Sequence, residues 1–391
     1  MNINDEQILV VGNTSDSYTA FDIAYYLRQK TSISDIISLK VFKNSEFCPR
    51  FTLYEEDDFS HTGESLKGKT IILVSAHSDF ISRNELAMRN LILARAARDN
   101  GAKQLILVEP DLFYSAQDRG PRPEHGKTKY KRSMEDMHKF NGQPFTARLY
   151  AQLLKNSGVD AIVTVHNHSF STTHEYEKIF GKGNFINLFP DDLYHYYICN
   201  SGIVDPLNTI LIAPDEGAED FVLSVAENGE PFFPALKFSK SRSGERSVQL
   251  KAAKDSESKM SLIENKDIVV LDDMVRTGAT ISECCNILQK YNPDRIVFLV
   301  THFYSSEEVK QKLSNPNITE IVTTNTIPSI LNRDNQGRLR KKMVVLKIMK
   351  WIANYLCKRL ELDIKINEPL YDFDISNKNK RAKAGFNAGS L

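Results

Sequence analysis

The feature that most constrains this chain is a rhythm: short runs of Val, Ile and Leu alternate with longer amphipathic stretches. The apolar runs predict strands over Gln7 to Val11, Thr70 to Ser75, Gln104 to Val108, Ala161 to Val165, Asn208 to Ala213, Asp267 to Leu271, Arg295 to Val300, Glu320 to Thr323 and Met343 to Leu346. Most lack the every-second-residue polarity of a half-exposed strand, so both faces must be covered. The stretches between them predict helices, among them Ser17 to Lys30, Arg83 to Asn100, Pro144 to Ser157, Ala279 to Tyr291 and Ser306 to Leu313. Strand, helix, strand repeated in this order builds a parallel sheet with helices on its faces. With 391 residues and roughly 150 residues per domain, two α/β halves fit the strand count better than one large sheet, and they meet between Phe170 and Ile203.

The rhythm breaks twice. From Asp118 to Gly142 the chain is charged and poor in apolar residues, which reads as a long surface excursion. Lys237 to Lys259, rich in Lys, Arg and Ser, reads as a mobile basic loop, and the composition after Asn377 is that of disorder. The expected division is 1–180 and 181–370, with an inserted loop at 119–142 in the first domain and a flexible tail at 371–391. The late strand and a helix over Leu346 to Leu360, with Trp351 on its apolar side, are expected to finish the second half.

Charge and composition remove several functions. Fifty Lys and Arg balance fifty Asp and Glu, so the whole chain gives no argument for nucleic acid or a membrane surface as partner. No apolar run reaches the roughly 18 residues of a membrane span, and the first residues lack the order of a secretory signal, so a cytoplasmic protein is expected. Cys48, Cys199, Cys284, Cys285 and Cys357 are too few and too irregular for a disulfide framework or a zinc site, and the one close pair, Cys284 and Cys285, reads as buried thiols. His166 and His168 alternate along a predicted strand and share a face, but no further ligand stands at metal spacing.

The strongest local signal starts at Ile268. A buried strand delivers Asp272 and Asp273 at its end, Arg276 follows, and a small, hydroxyl-bearing loop of Thr277, Gly278, Ala279 and Thr280 opens a helix. Small residues let backbone N–H groups converge on a phosphate at the positive helix end, the threonines add donors, and the carboxylates accept from vicinal sugar hydroxyls. A helix start with an ordinary threonine cap is the plainer reading of the same residues.

This word resembles the phosphoribosyl diphosphate (PRPP) binding motif of type I phosphoribosyltransferases and of ribose-phosphate pyrophosphokinases, the PRPP synthetases. Further words resemble the synthetases in the right order, from about Ile8 to Pro328. Phe42-Lys43-Asn44-Ser45-Glu46 resembles the F-x-N-x-E loop, whose residues contact adenine from a neighbouring subunit. Tyr114 to Arg119 resembles the Y-A-R-Q-D-K segment beside the nucleotide, and Val163 to His168 resembles a strand ending in a metal-linked histidine. Ala213 to Gly217 resembles the P-D-x-G turn whose aspartate helps hold magnesium, Lys240-Ser241-Arg242 the K-x-R pair of a flexible catalytic loop, and Thr324 to Pro328 is T-N-T-I-P.

The resemblance implies two tandem type I phosphoribosyltransferase-like domains with parallel sheets, ATP lying between them, and a homo-oligomer with a shared adenine site. The reaction it implies moves a diphosphoryl group from ATP to the 1-hydroxyl of a ribose phosphate. It assigns catalysis to Lys240, Arg242 and Asp215; ATP to Phe42, Asn44, Glu46, Gln117, Asp118, Arg119 and His168; the ribose phosphate to Asp272, Asp273 and Arg276 through Thr280; and Mg2+ to His168 and Asp215.

Four departures bear on the substrate. Ala116 stands at an arginine position, His166 at an aspartate position, and Arg276 where the family has an acidic or small residue; Gly120 to Gly142 is extra. An added cation and loop length suit a ribose bearing a bulkier 5-substituent, such as ADP-ribose, and divergent pyrophosphokinases of phage NAD-rebuilding pathways also resemble PRPP synthetases. A synthetase-like regulatory partner without catalysis, and a phosphoribosyltransferase consuming PRPP, are the other readings. The retained Asp215, Lys240 and Arg242 argue against the first, and the F-x-N-x-E and P-D-x-G words against the second.

Overall fold

The apolar runs form two parallel sheets in the computed structural model, which describes residues 7–128, 131–242 and 248–383. The side chains of residues 240–242, 248, 249, 254, 255, 382 and 383 lie outside the described residues. The chain divides into two units, the first reaching Leu188 and including Met349–Leu370, the second comprising Phe189–Ile348 and the chain from Tyr371 onward.

In the first unit β1 (Ile8–Gly12) leads through an antiparallel hairpin of β2 (Ile37–Val41) and β3 (Phe47–Phe51) to β4 (Thr70–Val74), β5 (Gln104–Val108), β6 (Ala161–Val165) and β7 (Phe185–Leu188). The five sheet strands lie in the order β1-β4-β5-β6-β7, all parallel. Every residue of β1, β4 and β6 is buried, which is why their sequences show no alternation. Local chemistry sets the helix starts. Ser82 Oγ accepts from Glu85 N at 3.2 Å to open Arg83–Asp99, and Ser169 Oγ accepts from Thr172 N at 3.3 Å to open Phe170–Phe180. Gly158, at φ 104°, ends Thr146–Ser157 in the left-handed conformation that L side chains resist.

The second unit holds β8 (Thr209–Ala213), β9 (Ala235–Arg242), β10 (Val248–Ala252), β11 (Asp267–Val275), β12 (Arg295–Phe303), β13 (Glu320–Thr324), β14 (Met343–Lys347) and β15 (Asp372–Ile375). Their order is β10-β9-β8-β11-β12-β13-β14-β15, with β10 and β15 antiparallel to their neighbours and the six between them parallel. One continuous core runs under this sheet from Leu236 and Phe238 through Val270 and Phe298 to Val345, and helix Ala279–Leu288 adds Ile281, Cys284, Cys285 and Leu288 to it. Among the described residues no helix is long and apolar enough to cross a membrane.

Four expectations need correction. The basic stretch after Lys237 is not a loop at its start: Leu236 and Phe238 alternate with Lys237 and Ser239, the apolar pair is buried, and β9 pairs with β10 as an edge hairpin. The helix Met349–Arg359 does not finish the second half but belongs to the first unit, where it packs on helix Tyr18–Tyr26, buries Trp351, Ile352 and Leu356, and donates from Arg359 Nη1 to the Gly183 carbonyl at 2.8 Å. The boundary accordingly falls at Leu188, after β7, rather than at 180. The stretch from 371 is structured as far as it is described: β15 adds to the sheet edge, and Arg381 Nη2 donates to the Ser201 carbonyl at 2.6 Å.

Candidate active site

The chain leaves β8, forms β9 on one side of it, and returns across it to form β11 on the other, so the carboxyl ends of β8 and β11 flank a topological switch point where open α/β sheets bind ligands. Asp215 stands in the turn after β8, and its carboxylate Oδ1 accepts from Gly217 N at 3.0 Å. Asp272 and Asp273 stand on β11, which runs on to Val275 and stays in register with β12, Asp272 against Val300 and Val275 against Phe303. The strand is therefore longer than the apolar run that predicted it, because β12 supplies ladder partners beyond Leu271.

The three carboxylates interact. Burial, then the charges of Asp273 and Asp215, push the Asp272 carboxyl well above the ordinary carboxylate range. Within the pair the backbone N–H of Asp273 donates to Asp272 Oδ1 at 3.0 Å, and that of Met274 to Asp273 Oδ1 at 2.8 Å. A half-buried carboxylate held against two others is an acceptor for hydroxyls or for a cation.

Gly278 makes the next step possible. At φ 73° it turns the chain from strand to helix, and a Cβ there would sit 3.4 Å from Lys312 Cβ. Helix Ala279–Leu288 then begins without a side-chain cap from Gly278, Thr277 Oγ1 reaching Ala279 N only at 3.5 Å, and the positive end of such a helix suits an anion. Arg276 is exposed, with its guanidinium 5.9 Å from the Tyr304 ring centre. The residues from Asp272 to Thr280 predicted as one site are thus one contiguous structure. Lys240 and Arg242 end β9, beside β8, and their side chains lie outside the described residues.

The nucleotide words fall in the first unit. Phe42, Asn44 and Glu46 form the exposed turn of the β2–β3 hairpin, closed by Phe42 N to Glu46 O at 2.8 Å, with Lys40 Nζ 4.9 Å from the Phe42 ring centre. Gln117 is exposed and its carbonyl accepts from Ala147 N at 3.2 Å, while the Asp118 carboxylate accepts from the Ser169 hydroxyl at the start of helix Phe170–Phe180. Arg119 is engaged by Asp136, Nη1 to Oδ1 at 3.0 Å. His168 is exposed one residue before that helix cap. His166 and His168 do not share a strand face: β6 ends at Val165, and His166, buried at φ 45°, donates its N–H to the Leu188 carbonyl at 2.8 Å.

Two features escaped the sequence reading. Glu109, directly after β5, is wholly buried; its Oε1 accepts from Ser75 Oγ (2.8 Å), Asn90 Nδ2 (2.9 Å) and Tyr150 OH (3.2 Å), and its Oε2 from Phe113 N (3.0 Å). Burial raises its carboxyl to about 7. The signal was a carboxylate closing an otherwise apolar strand, as at Asp272. The second is the order within Gly120 to Gly142, where helix Met134–His138 is tied back by Arg132 to Asp136 at 2.7 Å.

Comparison with known proteins agrees with this geometry. The family model of the phosphoribosyl transferase domain matches residues 207–329, which hold β8 to β13 and the Asp272 loop. Ribose-phosphate pyrophosphokinase 4 of Saccharomyces cerevisiae is 27% identical over 271 residues, covering 68% of this chain and 72% of its own. The ribose-phosphate pyrophosphokinase of Aeropyrum pernix is 25% identical over 326 residues, covering 83% of this chain and 90% of its own. Over most of its length the chain is similar to ribose-phosphate pyrophosphokinases. Its fold is that of the phosphoribosylpyrophosphate synthetase from Mycobacterium smegmatis, with a TM-score of 0.67 at 22% identity over 91% of this chain and 99% of that one. The phosphoribosyl transferase model falls on the second unit's sheet, whereas the likeness to the synthetase extends over both units.

Proposed function

We propose that the chain transfers the β,γ-diphosphoryl group of ATP to the 1-hydroxyl of a ribose 5-phosphate moiety and releases AMP. The observation that carries this reading is the uncapped helix start at Gly278, directly after the Asp272–Asp273 strand end at a switch point. There the loop N–H groups and the Thr277 and Thr280 hydroxyls hold the 5-phosphate, and the two carboxylates accept from the ribose hydroxyls. The 1-hydroxyl oxygen bonds to the β-phosphorus as the bond to the α,β-bridging oxygen breaks; AMP leaves with that oxygen and the hydroxyl proton is released. Lys240 and Arg242, near the end of β9, stabilise the charge on the transferred group. Gln117, Asp118, Arg119 and His168 take ATP, with Phe42, Asn44 and Glu46 contributed by a second copy, so the working form is a homo-oligomer.

The donor set suits Mg2+. Among the described residues no three His, Cys, Asp or Glu side chains make a metal cage, whereas Mg2+ binds through one or two carboxylates, waters and substrate phosphates. In this reading Asp215, whose charge helps raise Asp272, would hold the ion, and His168 would hold a metal-bound water. When bound, Mg2+ neutralises the ATP phosphates. Arg276 on the Tyr304 ring favours an acceptor with a bulkier 5-substituent, such as ADP-ribose.

Incubation with ATP and Mg2+ and either ribose 5-phosphate or ADP-ribose, followed by mass spectrometry, separates the acceptors. AMP and a diphosphorylated ADP-ribose are expected; product from ribose 5-phosphate alone removes the larger acceptor. Lys240→Ala is expected to lower AMP formation at least about a hundredfold. A wild type that makes no AMP with either acceptor supports the non-catalytic partner instead.

A further inference from the structure

The insert between Gly120 and Gly142 has no part in the reaction proposed above, yet it reaches back to a residue that does. Asp136, on its short helix Met134–His138, accepts from Arg119 Nη1 at 3.0 Å and from Arg132 Nε at 2.7 Å. Arg132 is fixed in turn: its Nη1 donates to the carbonyls of Arg122 at 3.0 Å and His125 at 2.6 Å, and its side chain is 5% exposed. The Asp136 carboxylate is therefore no loose surface group. Its Oδ2 is anchored on a buried arginine, and its Oδ1 is turned to Arg119.

Arg119 is held along its whole length. Gly126, at φ 106°, lets the insert backbone lie so close to the stem of this side chain that a Cβ there would meet Arg119 Cγ at 2.8 Å. Further out, Nε lies 3.4 Å from Asp118 Oδ1, Nη1 is on Asp136, and the guanidinium carbon is 4.9 Å from the Phe140 ring centre. The backbone beside it is tied to the same wall, since Ser171 Oγ donates to the Asp118 carbonyl at 2.7 Å and accepts from Lys127 N at 3.0 Å. The Arg119 side chain is nevertheless 35% exposed, so it is fixed without being enclosed. Ion pairs this exposed add little to stability. What this one supplies is direction.

We propose that Asp136 is a positioning residue for ATP binding, acting through Arg119 by fixing its guanidinium before the nucleotide arrives. This rests on the assignment of Arg119 to ATP made above. A long side chain gives up rotamer freedom when a ligand immobilises it, and one that is already fixed does not give it up again. The planar fork of an arginine gains most from such fixing, because its donors then share one geometry. Arg119 is also the one cation between Tyr114 and Arg119, Ala116 supplying none, so its direction carries the segment's charge.

The full chain, with Mg2+ and without an acceptor, is titrated with ATP by calorimetry as wild type, Asp136→Ala, Arg119→Ala and the double variant. Each single substitution is expected to weaken ATP about tenfold, and the double variant no more than Arg119→Ala, since the carboxylate has nothing to hold once the arginine is gone. A role in folding the insert alone would instead multiply the two losses to about a hundredfold. Where Asp136→Ala lowers the melting temperature, Asp136→Asn takes its place in the same cycle; it keeps the shape and one acceptor oxygen but loses the charge, with an expected loss of at least about threefold. Losses that multiply, a single variant that binds ATP as well as the wild type, or tighter binding by the Asp136 variant overturns the proposal and leaves the pyrophosphokinase reading standing. A wild type that binds no ATP up to about 10 mM refutes the nucleotide assignment and the proposal with it.

Discussion

Glu109 offers a sharp test of the first unit's interior. Its carboxyl is wholly buried at the end of β5 and meets four neutral donors but no cation. Burial raises it from the ordinary 4.5 to about 7, offset in part by the Phe113 N–H and the Ser75 and Tyr150 hydroxyls. Below about pH 4.5 the folded and unfolded chains are both protonated here. Between that value and about 7 the unfolded chain releases the proton first, so the folded state loses stability as pH rises. Above about 7 both are ionised and the loss is complete. At about 1.4 kcal/mol per pH unit, the interval from 4.5 to about 7 amounts to about 3 kcal/mol.

Glu109→Gln removes this titration while keeping the side chain's shape. The chain has one tryptophan, Trp351, buried in the same unit as Glu109, so its fluorescence during urea unfolding reports that unit. The free energy of unfolding of the variant minus that of the wild type is expected to rise by about 3 kcal/mol between about pH 4.5 and 8. Taking the difference cancels every group that titrates alike in both proteins. A difference that stays flat with pH, or that falls, refutes the assignment of a buried, uncompensated carboxylate.

Two further outcomes follow from the second unit. Asp272→Asn relieves a carboxyl that burial, Asp273 and Asp215 hold well above its ordinary value; stability lost as pH rises past the ordinary carboxylate range should be regained, while the KM for the ribose phosphate rises about tenfold or more. Thermal melts at several pH values and steady-state kinetics check both, and a lower melting temperature near pH 7 counts against the repulsion. Gly278→Ala forces an L residue to φ 73° at a cost of about 1–2 kcal/mol; acceptor KM should suffer more than kcat, and unchanged kinetics would show that this turn does not shape the phosphate loop.

Much of the candidate site was legible because it is local. Asp272 to Thr280 is one strand end, one turn and one helix start, and each residue's part follows from backbone geometry that short-range chemistry dictates. The same holds for the Phe42 to Glu46 turn. Where the reading failed, a distant partner decided. His166 turns out of the strand at φ 45°, just past the last pairing of β6 with β7 at Val165 and Leu188. Lys237 to Arg242 becomes a strand because β8 offers it an edge, which outweighs the polarity of its exposed face.

The sequence by itself determined the parallel α/β architecture, since continuous apolar runs separated by helices leave no other way to satisfy backbone and bury side chains. It also determined the strand end, turn and helix start from Asp272 to Thr280. Only the tertiary structure decided that Asp215 joins Asp272 and Asp273, that Met349–Arg359 crosses back to the first unit, and that Arg132 ties the insert together through Asp136 and the Arg122 and His125 carbonyls. Those outcomes depend on which buried groups meet across tens to hundreds of residues, and a charge or an apolar stripe carries no mark of its partner until the chain has closed around it.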